Sequence, residues 1–318
     1  MRNAFAAELL ELAAADDRIV LLSGDIGNRL FDSFKERFPE RFYNCGVAEQ
    51  NMVGMAAGLA MCGLRPICYT IASFATVRCL EQIRVDVCYH NVPVVTVGVG
   101  AGLGYAELGA THHACEDIAM MRSLPGMSVV CPGDPLEVRS ALAAAVKHDG
   151  PVYLRLGKKG EPVVHASRPE LKIGRGIPVR DGGCAMLLVN GTLLPIALDA
   201  AALLAEQQLD VAVVSVPTVK PLDDELLNRA FADFQLVVTI EEHGLIGGFG
   251  SAVAEWLVDR RKPLRTRADF LRLGTADHFL HEAGDEHHAR RHFGLDAASI
   301  AARVREEMLE WRSFVDFD

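Results

Sequence analysis

The sequence predicts an α/β protein made of two consecutive three-layer α/β/α domains with mostly parallel sheets. Three observations lead there. Short apolar runs of strand length alternate with longer stretches of helical period, the pattern of parallel strands joined by crossover helices. The alternation stops over residues 158–181, where Gly, Lys, Arg and Pro prevail without a period, and then resumes. The 318 residues, half of them hydrophobic, suffice for two cores of ordinary size. The expected division is a first domain over 1–157, a linker over 158–181 and a second domain over 182–318.

Taken in order, residues 3–15 read as an amphipathic helix rich in Ala, Leu and Glu. Residues 19–23 are a short apolar strand that ends at Gly24-Asp25, and 31–38 suggest a second helix. Residues 42–45 lead irregularly into 49–62, a helix whose many Gly and Ala residues imply close packing against a neighbour. Strands at 66–71 and 93–99 flank a helix at 74–90. The Gly-rich stretch 98–112 has little periodicity and is long for a connection inside a compact domain, which marks it as functional. Helix 117–124, strand 128–131, helix 135–147 and strand 151–156 complete the first domain.

The second domain repeats the alternation. Strands are expected at 184–189, 210–216, 236–241 and 264–273, with helices at 194–207, 223–233, 250–259 and 297–311. No fixed-period repeat is present.

Composition excludes several classes. The net charge of −10 comes without a basic run or an aromatic-basic stripe, so nucleic acid is not an expected partner. No apolar run approaches the roughly 20 residues of a membrane span, and the start, Met1-Arg2-Asn3-Ala4, enters a helical pattern directly, so a cytoplasmic protein without a signal peptide is expected. The eight cysteines form no Cys-x-x-Cys pair and read as buried, reduced thiols. His287, His288 and His292 lie among arginines in a polar stretch, as on a surface helix or loop, and no cluster has metal-ligand spacing.

The chemistry-bearing segments come in a fixed order. Gly46-Val47-Ala48-Glu49-Gln50-Asn51-Met52 opens a Gly/Ala-rich helix with a carboxylate, which alone would be an ordinary helix-start acid. Tyr69-Thr70-Ile71-Ala72-Ser73-Phe74 follows, then Gly109-Ala110-Thr111-His112, then Asp117-Ile118 and Arg122-Ser123-Leu124-Pro125-Gly126-Met127. Together these resemble the pyrimidine-binding domain of transketolase and of deoxyxylulose-phosphate synthase. Thr239-Ile240-Glu241-Glu242-His243 and Gly247-Gly248-Phe249-Gly250-Ser251-Ala252-Val253 resemble the C-terminal domain of the same family, so the likeness spans nearly the whole chain.

The resemblance implies a thiamine-diphosphate enzyme that moves a two-carbon ketol unit between sugars. Glu49 matches the glutamate that hydrogen-bonds the cofactor's aminopyrimidine, favouring the imino tautomer that draws the proton from the thiazolium carbon. Phe74 matches an aromatic stacked on that ring, although the further family aromatics are missing at Val77 and Leu80. His112 matches a loop histidine that contacts substrate hydroxyls or phosphate, and His113 stands where the family often has Gln. Asp25 matches an aspartate near the cofactor, with helix capping as the competing reading. Arg2 and Lys158 fall at phosphate-binding positions, Arg29 lies near a position often Ser, and the three are expected to converge on one anion.

One part of the family pattern is missing. Transketolases hold the diphosphate and a divalent metal through Gly-Asp-Gly, and none occurs here: Gly24-Asp25, Gly133-Asp134 and Gly284-Asp285 are each followed by another residue. The resemblance therefore implies an obligate partner, a separate N-terminal transketolase subunit that binds the diphosphate and Mg²⁺ or Ca²⁺, in an α2β2 heterotetramer. The helices at 49–62 and 74–87 are candidates for that interface. The alternatives are the β subunit of a 2-oxoacid dehydrogenase and a non-catalytic thiamine-enzyme paralogue. A nucleotide-binding fold is disfavoured, since no Gly-x-Gly-x-x-Gly follows the first strand. The second domain is expected to act structurally, around Glu241-Glu242-His243.

Overall fold

The computed structural model describes residues 1–27, 29–259 and 268–315, with side chains through residue 310. The first unit runs α1 (Arg2–Ala15), β1 (Ile19–Ser23), α2 (Asp32–Arg37), β2 (Phe42–Asn44), α3 (Glu49–Met61), β3 (Arg65–Ile71) and α4 (Ala72–Thr76). It continues with α5 (Leu80–Gln82), a π-helical turn over Ile83–Tyr89, β4 (Val95–Val99), α6 (Asp117–Ser123), β5 (Ser128–Val130), α7 (Pro135–Lys147) and β6 (Val152–Leu156). The second unit comprises β7 (Ile177–Arg180), β8 (Ala185–Asn190), α8 (Leu194–Glu206), β9 (Val211–Ser215), β10 (Thr218–Lys220), α9 (Asp224–Asp233) and β11 (Leu236–Gly244). Then come α10 (Phe249–Val258), β12 (Asp269–Thr275), α11 (Glu286–His292) and α12 (Ala297–Val315).

Two sheets result, ordered β10-β5-β6-β4-β3-β1-β2 and β12-β11-β8-β9-β7. All pairings are parallel except β10 with β5 and β7 with β9. The central strands are buried along their whole length because helices cover both faces. On β1, Ile19 and Leu21 face α1 and α7, while Val20 and Leu22 face α3 and α6, as the two-residue period of a strand requires. The α3-side cluster continues without a break into the second unit, through Val216, Val219, Leu226, Phe231 and Phe249. The opposite face of the second sheet packs on α8 and α12.

Four local features differ from the sequence reading. The helix expected over 74–90 breaks after Thr76 and resumes as α5 and the π turn. β-Branched Thr76 and Val77 stand at the break, and π turns of this kind recur at functional sites. Ile177–Arg180, inside the stretch read as a linker, forms an edge strand antiparallel to β9. β10 belongs to the first sheet although its residues lie in the second half of the chain. The strand expected from 264 lies outside the described residues as far as 267, and its described part runs to Thr275. Among the described residues, no helix is long and apolar enough to cross a membrane.

Candidate active site

Strands β1, β3 and β4 end at the same edge of the first sheet, where ligands bind in open α/β folds. Glu49 is the first residue of α3, with its carboxylate at the positive end of the helix. It is only 3% exposed. The Thr70 hydroxyl, from the end of β3, donates to Glu49 Oε1 at 3.4 Å. A Cβ on Gly24 would stand 2.9 Å from Thr70 Oγ1 and 3.4 Å from Glu49 Cγ, so the chain leaving β1 passes this carboxylate only because residue 24 has no side chain.

Arg78 completes the surroundings. It sits in the break between α4 and α5, and Nη1 donates to Glu49 Oε2 at 3.2 Å. Its guanidinium lies 3.6 Å from the centre of the Phe74 ring. Phe74 in turn contacts His112, with ring centres 5.2 Å apart. Ser73 donates to the Thr111 carbonyl, and Thr111 Oγ1 stands 2.9 Å from His112 Nδ1, which ties the Gly-rich loop to α4. Burial, reinforced by the positive field of Arg78 and by His113, holds the His112 pKa below the usual histidine value.

The other expected residues divide into separate places. Arg2, Asp25 and Arg29 line one hollow of about 580 Å³. Among the described residues, buried Arg2 Nε has no hydrogen-bond partner, and Asp25 Oδ1 accepts from Asn44 Nδ2 at 2.9 Å. Asp25 and Arg29 both adopt left-handed backbone, with φ of 58° and 65°. Lys158 does not line that hollow: its ammonium pairs with Glu107 and lies 4.6 Å from the Tyr105 ring. His113 is buried under the loop, with Nε2 3.4 Å from the Ala106 carbonyl. It lines a different cavity, of about 660 Å³, between the loop and the second unit.

Sequence patterns do not single out Arg78. The only signal for it is a basic residue one turn beyond Phe74, at the β-branched pair that breaks the helix. Of the two positions lacking the family's aromatics, Val77 is exposed and Leu80 packs on the core, while Arg78 covers the Phe74 ring instead.

The doubly wound first unit, with a buried carboxylate and an aromatic face at its strand ends, is a pyrimidine-binding domain of the transketolase type. The chain belongs to the transketolase family. Residues 1–161 match the transketolase pyrimidine-binding domain and residues 174–300 the transketolase C-terminal domain. It is 39% identical over 267 residues to an apulose-4-phosphate transketolase subunit of Actinobacillus succinogenes, covering 84% of this chain and 85% of that one. It is 37% identical over 316 residues to a 6-deoxy-6-sulfo-D-fructose transketolase subunit of Clostridium sp., covering 99% and 96%. A solved split-gene transketolase, an inactive β4 tetramer, superposes with a TM-score of 0.86 at 36% identity, over 97% of both chains. The first two relatives are transketolase subunits, within a family of transferases.

Transketolases depend on thiamine diphosphate, and the residues here fit its pyrimidine end. The guanidinium of Arg78 is itself a planar, conjugated N–H donor that lies over Phe74 and donates to Glu49, so this place already holds a planar nitrogen-bearing group. Among the described residues, no group of three His, Cys, Asp or Glu side chains could hold a metal ion.

Proposed function

We propose that this chain is the pyrimidine-binding subunit of a two-component transketolase that transfers a two-carbon ketol unit from a ketose to an aldehyde. It works with a separate subunit that holds the cofactor's diphosphate and Mg²⁺ or Ca²⁺, in an α2β2 assembly. The buried Glu49 carboxylate beside the Phe74 face carries this reading.

Thiamine diphosphate, when bound, supplies the carbanion chemistry that breaks and remakes the C–C bond. Glu49 holds a proton at the pyrimidine ring nitrogen, and Thr70 fixes the orientation of its carboxylate. Phe74 supports the ring, and Arg78 swings off both groups to admit it. Burial around Glu49 keeps water from that proton. At neutral pH His112 is uncharged, and its ring, held by Thr111, offers a hydrogen bond to a donor hydroxyl. Arg2 and Arg29 hold the far anion of the substrate, with Asp25 at the rim of their hollow. The two relatives' names carry a phosphate and a sulfonate, the kind of group two arginines recognise. Lys158 steadies the loop through Glu107, and His113 supports it from beneath.

The partner subunit covers the apolar side chains left exposed on α3 and the π turn, namely Met55, Met61, Val85 and Tyr89, with Val47 and Val77 beside them. The test is ketol transfer from xylulose 5-phosphate to ribose 5-phosphate with thiamine diphosphate and Mg²⁺, for this chain alone and with its diphosphate-binding partner. Activity with both and with neither alone is the expected result. Full activity of Glu49→Gln in the complete enzyme would overturn the scheme.

A further inference from the structure

The second unit reaches the Gly-rich loop through one carboxylate. Glu242, near the end of β11, is 1% exposed. Its Oε1 accepts the backbone N–H of Leu103 at 2.7 Å. Its Oε2 accepts Arg290 Nε, from α11, at 2.6 Å. Arg290 is held in turn by Glu286 Oε1 at 2.6 Å.

The loop is shaped to meet this group. Gly102 has a φ of +54°, and a Cβ there would stand 2.6 Å from Glu242 Cγ and Oε1. Only a bare backbone can lie so close. The Ala114 N–H donates to the Gly102 carbonyl at 2.8 Å, closing the loop that carries Tyr105, Glu107 and His112. The outgoing stem is fastened to the same residue: Arg155 Nη2 donates to the Ala114 carbonyl at 2.8 Å and to the Glu242 carbonyl at 2.9 Å. Arg155 is fixed by Asp117, at 2.7 Å, and Asp117, Arg155 and Glu242 are all buried. Both stems of the loop therefore converge on Glu242.

We infer that Glu242 is a positioning residue: braced by Arg290, it sets where the 102–114 loop stands and so where His112 meets the substrate. The second unit is then part of the substrate site and more than a scaffold for it. The substrate half of this statement rests on the transketolase reading; the mechanical half does not.

Glu242→Ala removes the anchor. In the chain alone, hydrogen exchange of loop amides including Leu103 should quicken roughly tenfold or more, while β8 and α8 keep their protection. The His112 titration, followed by NMR, should move up toward the ordinary histidine value as the loop lifts away from Phe74 and Arg78 and the ring becomes more exposed. In the complete two-subunit enzyme, KM for the ketose should rise roughly tenfold with kcat nearly unchanged, and thiamine-diphosphate affinity should stay as in the parent. Should Glu242→Ala fail to fold, Glu242→Gln keeps an acceptor for Leu103 while losing the charge facing Arg290, and should shift the same readouts less. Unchanged exchange and titration, or a loosened loop with unchanged KM, would overturn the inference. An inactive parent enzyme would instead count against the transketolase reading, while exchange and titration still decide whether Glu242 anchors the loop.

Discussion

Arg78 and Glu49 form an ion pair at 3.2 Å in which the carboxylate is buried and the arginine side chain is 43% exposed. The same guanidinium lies over Phe74, 3.6 Å from the ring centre. Both groups that the proposed function assigns to the pyrimidine are thus taken by one solvent-reaching side chain.

Removing that side chain should favour the cofactor. An ion pair whose arginine reaches solvent is worth about 1 kcal/mol or less, and the stacking about 0.5–1 kcal/mol, so Arg78→Ala in the two-subunit complex should bind thiamine diphosphate about two- to thirtyfold more tightly. Calorimetric titration measures this directly. Weaker binding would mean that Arg78 holds the cofactor rather than yields to it.

Glu49→Gln keeps the shape of the side chain and loses the ionisable carboxyl group. Ketol transfer should drop by about 10²- to 10⁴-fold while the circular dichroism spectrum and the association with the partner are retained.

The anion hollow gives a graded expectation. Arg2→Gln and Arg29→Gln should each raise KM for a phosphorylated ketose about tenfold or more, through loss of a charge-assisted hydrogen bond. Lys158→Met should do less, because its ammonium is committed to Glu107 on the loop. Steady-state kinetics on phosphorylated and unphosphorylated ketoses separate the three.

His243 should leave a mark on acid stability. Its Nε2 accepts the Ala119 N–H at 3.2 Å and its Nδ1 stands 2.7 Å from the Gly244 carbonyl, which suits a neutral ring. Burial pushes its pKa down from 6.5 to about 4. The unfolded chain therefore binds the proton first, and stability contributed here is lost as pH falls from about 6.5 toward about 4. Glu241 beside it, pushed up to about 7 by burial, tilts the profile the other way, so the informative quantity is the variant compared with the parent. His243→Asn should be less stable at pH 7 and should lose less Tm between pH 7 and pH 5.

Some of these features are legible in the sequence, and others are hidden for physical reasons. Glu49 is legible because a carboxylate opening a Gly/Ala-rich helix is a local pattern, and the parallel strands because burial on both faces makes them continuously apolar. Phe74 and His112 share a local order that the structure turns into contact. Arg78 is hidden by a helix break that redirects it onto Phe74. The pairing of Leu103 with Glu242 joins residues 139 positions apart, and no periodicity encodes such a contact. The same holds for Lys158, whose partner Glu107 lies on a loop without a repeat.

Strand β10 carries one last consequence. It closes the edge of a sheet whose other strands were all made before residue 157, and Lys220 clamps it by donating to the carbonyls of Arg122 and Leu124. A fragment cut at the apparent boundary would bare the β5 edge and one side of a shared apolar cluster, an invitation to strand-to-strand aggregation. The two halves are thus separable on paper and mutually dependent in folding, and heating should melt them in a single transition.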